Sequence, residues 1–305
     1  MRLLSISLFL FFGVPAFACS IFMGADGKNV LVGNNEDDPL EPEFQNSKIS
    51  FHVPQPGRKF GSLHLSFPDN FPQGGMNTAG LFFDVTSIAY RPVNFPGLEE
   101  FPGGSAALLK EILGNAATVD EAVKLVLSHS VPEMAAAQLF FADRNGDGAL
   151  IGVGKDGRLL VTKKQGNFLL ATNFDVGNPT VNANEPRYKL AMDLWQKKPD
   201  VSLGNFRSIL AAIHFEASPV TLYSNIYDLK RGTMVLYHFH NYADAVKIDL
   251  KQELAKGERT VKIEELFPNE LKAVGHTLRV NAILKCVVKT KGDLEKCLVE
   301  NPGGL

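Results

Sequence analysis

Cysteine is scarce in this chain: three in 305 residues, at positions 19, 286 and 297, which rules out a small scaffold stapled by many disulfides. Charge of either sign is nearly cancelled, 31 Lys and Arg against 33 Asp and Glu, so neither nucleic acid nor an anionic membrane surface is implied as a partner. Beyond the first dozen residues no apolar run approaches the roughly 20 residues that a bilayer-spanning helix needs. No fixed-period repeat and no low-complexity linker divides the sequence, and residues 19–305 read as one domain. Seven histidines are present without zinc spacing; His238 and His240, alternating along an expected strand, fall short of a metal set. Asp143-Arg144-Asn145-Gly146-Asp147-Gly148 imitates the front of a calcium loop, but the twelfth position is Gly154 and the flanks are strand-like, so it reads as a tight turn.

What is present begins at the N-terminus. Arg2, an apolar run from Leu3 to Phe12, and Ala16-Phe17-Ala18 form the pattern of a secretory signal peptide over residues 1–18, cut after Ala18. The expected destination is periplasmic or extracellular. Such a cut makes Cys19 the first residue, with a free α-amine. A terminal amine titrates near about 8, well below lysine, and can act as a base at neutral pH beside the thiol it belongs to. One residue then supplies both nucleophile and proton acceptor. Three plainer readings compete: a buried thiol, a disulfide partner, or the lipid-bearing cysteine of an anchored binding protein, whose acylated amine could not act as a base. Cysteine arithmetic pairs Cys286 with Cys297 and leaves Cys19 free.

Along the chain, strands are expected at Cys19–Gly24, 29–33, 48–53, 60–67, 80–89, 137–142, 149–153, 159–161, 168–172, 220–226 and 233–240. Helices are expected at 106–113, 119–127 (opened by Thr118 with Glu121 three residues on), 186–196, 203–215, around Gln252, and at 279–288. Phe71 to Asn77 reads as turn-rich, and Pro92 to Gly104 as a long loop suited to lining a pocket. Strand runs set apart from helix runs indicate an α+β domain with mostly antiparallel sheets. Gly33-Asn34-Asn35-Glu36-Asp37-Asp38-Pro39 is either a solvated turn at a strand end or, beside Cys19, a carboxylate source that holds the α-amine. Asn173, closing the strand Phe168–Thr172, either ends a turn or donates an N–H to an oxyanion.

Five pieces taken in order carry a likeness: Cys19-Ser20; Gly33-Asn34-Asn35-Glu36-Asp37; Gly75-Met76-Asn77-Thr78-Ala79-Gly80-Leu81; Ala171-Thr172-Asn173-Phe174 with Arg187-Tyr188; and Thr221-Leu222-Tyr223-Ser224-Asn225. Together they resemble the linear amide C–N hydrolases of the choloylglycine hydrolase and penicillin V acylase family, within the N-terminal-nucleophile superfamily. The resemblance implies a four-layer αββα sandwich, a small-molecule amide substrate, and neither metal nor organic cofactor. It implies that Cys19 attacks an amide carbonyl and forms a thioester resolved by water, or by an amine in an acyltransferase. By position, Asp37 orients the amine and Asn173 contributes to the oxyanion hole. Ser87 falls where the family often has Asn or Tyr beside that hole, and Asn34, Asn77, Arg187 and Tyr223 are further candidates for oxyanion or substrate contact. Asn34 and Val220 stand where the family commonly carries arginines, which removes fixed positive charge.

Overall fold

The structure is a computed structural model that describes residues 19–38, 47–67, 69–175, 177, 185–216, 219–267, 286–287, 289–290 and 296–297. The expected leader, residues 1–18, and most of the expected helix at 279–288 lie outside the described residues, as does Pro39.

Strands come in chain order as β1 (Ser20–Ala25), β2 (Val30–Asp38), β3 (Lys48–His52), β4 (Ser62–Ser66), β5 (Pro72–Asn77), β6 (Leu81–Ser87), β7 (Ala137–Asp143), β8 (Gly148–Val153), β9 (Leu159–Lys163), β10 (Phe168–Ala171), β11 (Val220–Asp228), β12 (Thr233–His238), β13 (Val246–Asp249) and β14 (Arg259–Lys262). Helices are α1 (Gly104–Asn115), α2 (Val119–Leu127), α3 (Pro186–Lys197), α4 (Leu203–Ala212) and α5 (Leu250–Leu254). One sheet has the order β10-β1-β2-β11-β12-β13, the other β14-β3-β4-β5-β6-β7-β8-β9. All pairings between named strands are antiparallel.

Alternation along the strands builds the layers. On β1, Ile21 and Met23 enter a core between the sheets with Val30 and Val32 of β2, Phe82 of β6 and Phe140 of β7. The intervening Phe22 and Leu31 pack outward against Trp195 and Phe206 of α3 and α4. On the other sheet Leu81, Phe83 and Phe141 turn outward onto Leu109, Ile112 and Val126 of α1 and α2. The result is the αββα order. Trp195 stacks on Phe168 of β10 with centroids 4.3 Å apart, which seats α3 on its sheet.

Local chemistry explains most boundaries. Thr118 and Glu121 form the capping box that opens α2: the Thr118 hydroxyl accepts from the Glu121 N–H, and the Glu121 carboxylate accepts from the Thr118 N–H. The Asp143 carboxylate closes the following turn, accepting from the N–H of Asn145 at 2.8 Å and of Val119 at 2.9 Å, with Gly146 at φ 91°. Two expectations fail here. Phe71 to Asn77 is largely strand, because Gly74 and Gly75 let β5 lie flush: a Cβ on Gly75 would sit 2.8 Å from the His64 Cα, and one on Gly74 would strike the Asp84 carboxylate. His238 and His240 do not share a strand face, because Phe239 between them has φ 51° and breaks the extended backbone; His238 stacks on Phe267 and His240 on His214.

Candidate active site

Cys19 precedes β1, a strand paired on both sides, with Ser20 opposite Asn35 of β2 and Ile21 opposite Ala171 of β10. It is the free cysteine among the described residues and is buried; Cys286 and Cys297 are joined, their Cα atoms 5.6 Å apart. Alternation sends the Cys19 sulfur between the sheets and the Ser20 hydroxyl toward the helices.

The run after Gly33 is not a turn at a strand end. β2 continues through Asp38, and all nine of its residues are buried. Pairing with β11 from Leu31 to Asp38 holds these polar residues extended, so the strand's alternation sorts them by face. Asn34 and Glu36 face the interior: the Cys19 thiol donates to Glu36 Oε1 at 3.4 Å, and Asn34 Nδ2 donates to Glu36 Oε2 at 3.3 Å. Asn35 and Asp37 face the helices. Asn35 donates to the Leu210 carbonyl at 3.0 Å and accepts from the Ser224 hydroxyl at 2.7 Å.

Asp37 is fully buried and accepts from Arg187 Nη1 at 3.2 Å and from the Thr221 hydroxyl. Arg187, in the first turn of α3, is the hub of this face. Its guanidinium also reaches Ser20 Oγ at 3.1 Å, Asn173 Oδ1 at 2.8 Å and Glu185 Oε1 at 2.9 Å, and it lies over the Phe215 ring. The planar fork is what allows one side chain to fix four partners. Asn173 Nδ2 donates to the Ser87 carbonyl at 2.9 Å, so Ser87 joins the site through its backbone. Arg187 thus ties Ser20, Asp37 and Asn173 together, with Ser87 reached through Asn173, while Cys19 and Asn34 meet at Glu36 on the interior face.

Tyr223 lies on the interior face with its hydroxyl buried and without a hydrogen-bond partner among the described residues, and Val220 is buried in the core opposite Asp38. Asn77 serves the fold instead of the site. Its Nδ2 donates to the carbonyls of Leu113 and Ala116 at 2.9 and 2.7 Å, and its Oδ1 accepts from the N–H of Ala79 and Leu81, both at 3.0 Å. Asn77→Ala is expected to cost about 2–3 kcal/mol in denaturant unfolding, since it strands buried backbone groups, while the thiol reactivity of Cys19 stays within about twofold.

Burial pushes the Cys19 thiol well above its ordinary value; the charges of Glu36, Asp37 and Asp84 add to this, against an opposing backbone N–H from Asp37. Burial also raises Asp37, partly offset by the Thr221 hydrogen bond and by Arg187. Glu36 is raised to about 7, chiefly by burial, against the hydrogen bonds from Asn34 and Cys19. Asp84 is raised by burial and then by Glu36. Glu36 falls inside the acidic run expected to hold the α-amine, whereas Asp84 and Thr221 carry no role expected from the sequence. The signal was available: Asp84 sits in Leu81–Ser87 at the phase of Phe82, which faces the core.

A raised carboxylate makes folding take up a proton. Stability contributed by protonated Glu36 is fully present below its unfolded value of 4.5 and is lost as pH rises toward about 7. Glu36→Gln is expected to flatten that decline by on the order of 3 kcal/mol, read from denaturant midpoints between pH 4 and pH 8.

The family model described as acyl-coenzyme A:6-aminopenicillanic acid acyl-transferase matches residues 23–192, more than half of the chain. The chain belongs to that family. Among solved structures it is similar to a variant of conjugated bile acid hydrolase from Clostridium perfringens, at 16% identity and TM-score 0.62, covering 80% of this chain and 96% of that one. It is similar to penicillin V acylase from Agrobacterium tumefaciens, at 18% identity and TM-score 0.55, covering 77% and 86%. The Caenorhabditis elegans N-acylethanolamine-hydrolyzing acid amidase ortholog gives 17% identity and TM-score 0.54, covering 70% and 93%. No curated protein matches the chain significantly. The family of amide hydrolases and acyltransferases that the motifs resembled is thus the right one, and the two antiparallel sheets are those of its N-terminal-nucleophile fold. No helix among the described residues is long and apolar enough to cross a membrane.

Proposed function

We propose that this chain is the precursor of an exported cysteine amidohydrolase that cleaves a linear amide through a thioester on Cys19. The observation that carries the reading is the free thiol of Cys19 ahead of an interior strand, with Asp37 and Asn173 tied through one guanidinium to the neighbouring Ser20. Removal of residues 1–18 gives Cys19 its α-amine. That amine takes the thiol proton as sulfur adds to the carbonyl carbon, and Asp37 orients it. Asn173 stabilises the developing oxyanion. The ammonium then gives its proton to the leaving amine, and water repeats the addition on the thioester, releasing the acid. Arg187 keeps Asp37 and Asn173 in register.

Exported protein should begin at an unblocked Cys19 on N-terminal sequencing; any other first residue, or a diacylglyceryl mass increment, sinks the scheme. The family description favours a second reading, in which an acceptor amine rather than water resolves the thioester. Adding primary amines to the reaction and weighing the products separates the two: new amides in place of free acid identify a transferase.

A further inference from the structure

The layer between the sheets holds more carboxylate than the reaction above uses. Glu36 on β2 and Asp84 on β6 come from opposite sheets, each about 1% exposed, and lie close enough for the charge of Glu36 to raise Asp84. No lysine, arginine or histidine among the described residues hydrogen-bonds or ion-pairs with either; Asp84 accepts from the Val85 N–H, and Glu36 from Cys19 and Asn34. Arg187 is on the opposite face of its sheet, engaged with Asp37, Glu185 and Asn173.

A second observation is independent of these charges. Among the described residues several buried polar atoms of the same layer lack a hydrogen-bond partner, and four of them lie on the β2–β11 pair: Asn34 Oδ1, Asn225 Oδ1 and the hydroxyls of Tyr223 and Tyr227. Their residues are at most 1% exposed. Asn34 is bonded to Glu36 through its amide nitrogen, and Asn225 pairs with Asn34 across the β2–β11 ladder. Tyr223 and Tyr227 share the phase of Asn225 and sense the charges of Glu36 and Asp84. Two of these atoms can only accept, and the hydroxyls can accept as well. Unpartnered buried acceptors beside two carboxyls, with no cation among the described residues bonded to either, make a layer that a cationic donor completes once the carboxyls ionise. Water would satisfy single acceptors but would not offset the carboxylates.

We propose that the substrate carries a protonated amine within a few bonds of the scissile carbonyl, received by Glu36 and Asp84 together with the hydroxyls of Tyr223 and Tyr227. The inference rests on Cys19 being the nucleophile. Its reach is set by one distance: Glu36 Oε1 lies 3.4 Å from the sulfur that must touch the carbonyl carbon. An ammonium offers three N–H donors, matching two carboxylates and a neutral oxygen. Binding it also offsets the negative charges that hold the thiol protonated, so a cationic substrate activates the sulfur it sits beside, whereas an anionic one meets repulsion on the same wall.

The test needs no knowledge of the natural substrate. Mature protein, with the Cys286–Cys297 bridge intact, is treated at pH 8 with three methanethiosulfonates that differ in one substituent: 2-aminoethyl, methyl and 2-sulfonatoethyl. Rates of Cys19 modification are read by intact mass and divided by the rates with a free small thiol. The aminoethyl reagent is expected to outpace the sulfonatoethyl reagent by on the order of 100-fold, as two nearby charges in a site of intermediate dielectric require. Glu36→Gln and Asp84→Asn should each reduce that ratio, and the double variant should bring it to within about threefold of unity. The wild-type ratio decides the matter even where a variant does not fold. A ratio near one, or one favouring the sulfonate, overturns the charge preference and leaves Cys19 as nucleophile. A sulfur in the mature chain that none of the three modifies overturns both readings.

Discussion

Replacing Cys19 by alanine is expected to lower amide turnover by at least about 10⁴-fold while the chain still folds, since the nucleophile and its thioester vanish and only binding and the oxyanion contacts remain. Cys19→Ser keeps the α-amine but offers a hydroxyl, a far weaker acid than a thiol, beside Glu36 and Asp37, whose charges already oppose ionisation at this position. Its loss should be on the order of 10³-fold. Steady-state rates on a panel of linear amides, with intact mass of acid-quenched samples, check both. Wild type should show an acyl adduct on the N-terminal peptide, and Cys19→Ala none. An alanine variant that retains a tenth of the activity would remove Cys19 from the chemistry.

Arg187→Met is expected to be among the most destabilising single changes in the chain, at about 3–5 kcal/mol, because it leaves the carboxylate of Asp37 buried without its cation. Asp37 has 0% side-chain exposure, and its other carboxylate partner is the neutral Thr221 hydroxyl. Arg187 lowers the Asp37 pKa, so removing it raises that value further above the unfolded one. The variant's deficit should therefore grow as pH rises and shrink in acid, where Asp37 is protonated in either background. Arg187→Lys should recover part of the stability and little of the activity, since a point charge cannot fork to Asp37, Glu185 and Asn173 together. Urea midpoints at pH 5 and pH 8 test this; a deficit under about 1 kcal/mol at pH 8 would show that the Asp37 ion pair contributes nothing net.

Much of the fold was legible because its signals are local. The capping box at Thr118 and Glu121, the Asp143 turn and the alternation of β1, β6 and β7 need only neighbouring residues to declare themselves. Elements that depend on distant partners were harder. β5 hides behind a glycine pair that ordinarily marks a turn and here allows close approach to His64 and Asp84. β13 and β14 are four-residue strands, each at one edge of its sheet, with one and two exposed residues and no apolar run. In the candidate site, the order of motifs singles out Cys19, Asp37, Asn173 and Arg187. The burial of Asn34 through Asp38 could not, because polarity argues for a turn until β11 is seen to pair with it. The convergence of Glu36 and Asp84 joins two strands from different sheets, and no single stretch of sequence contains it.

The stacking of Trp195 on Phe168 has a practical side. It is the chain's one tryptophan, and it stands two turns along the helix whose first turn carries Arg187. Its emission therefore reports the seating of that helix alone, without deconvolution. Any event that loosens the guanidinium from Asp37 and Asn173 should register as a change in fluorescence from a ring now pressed flat against β10.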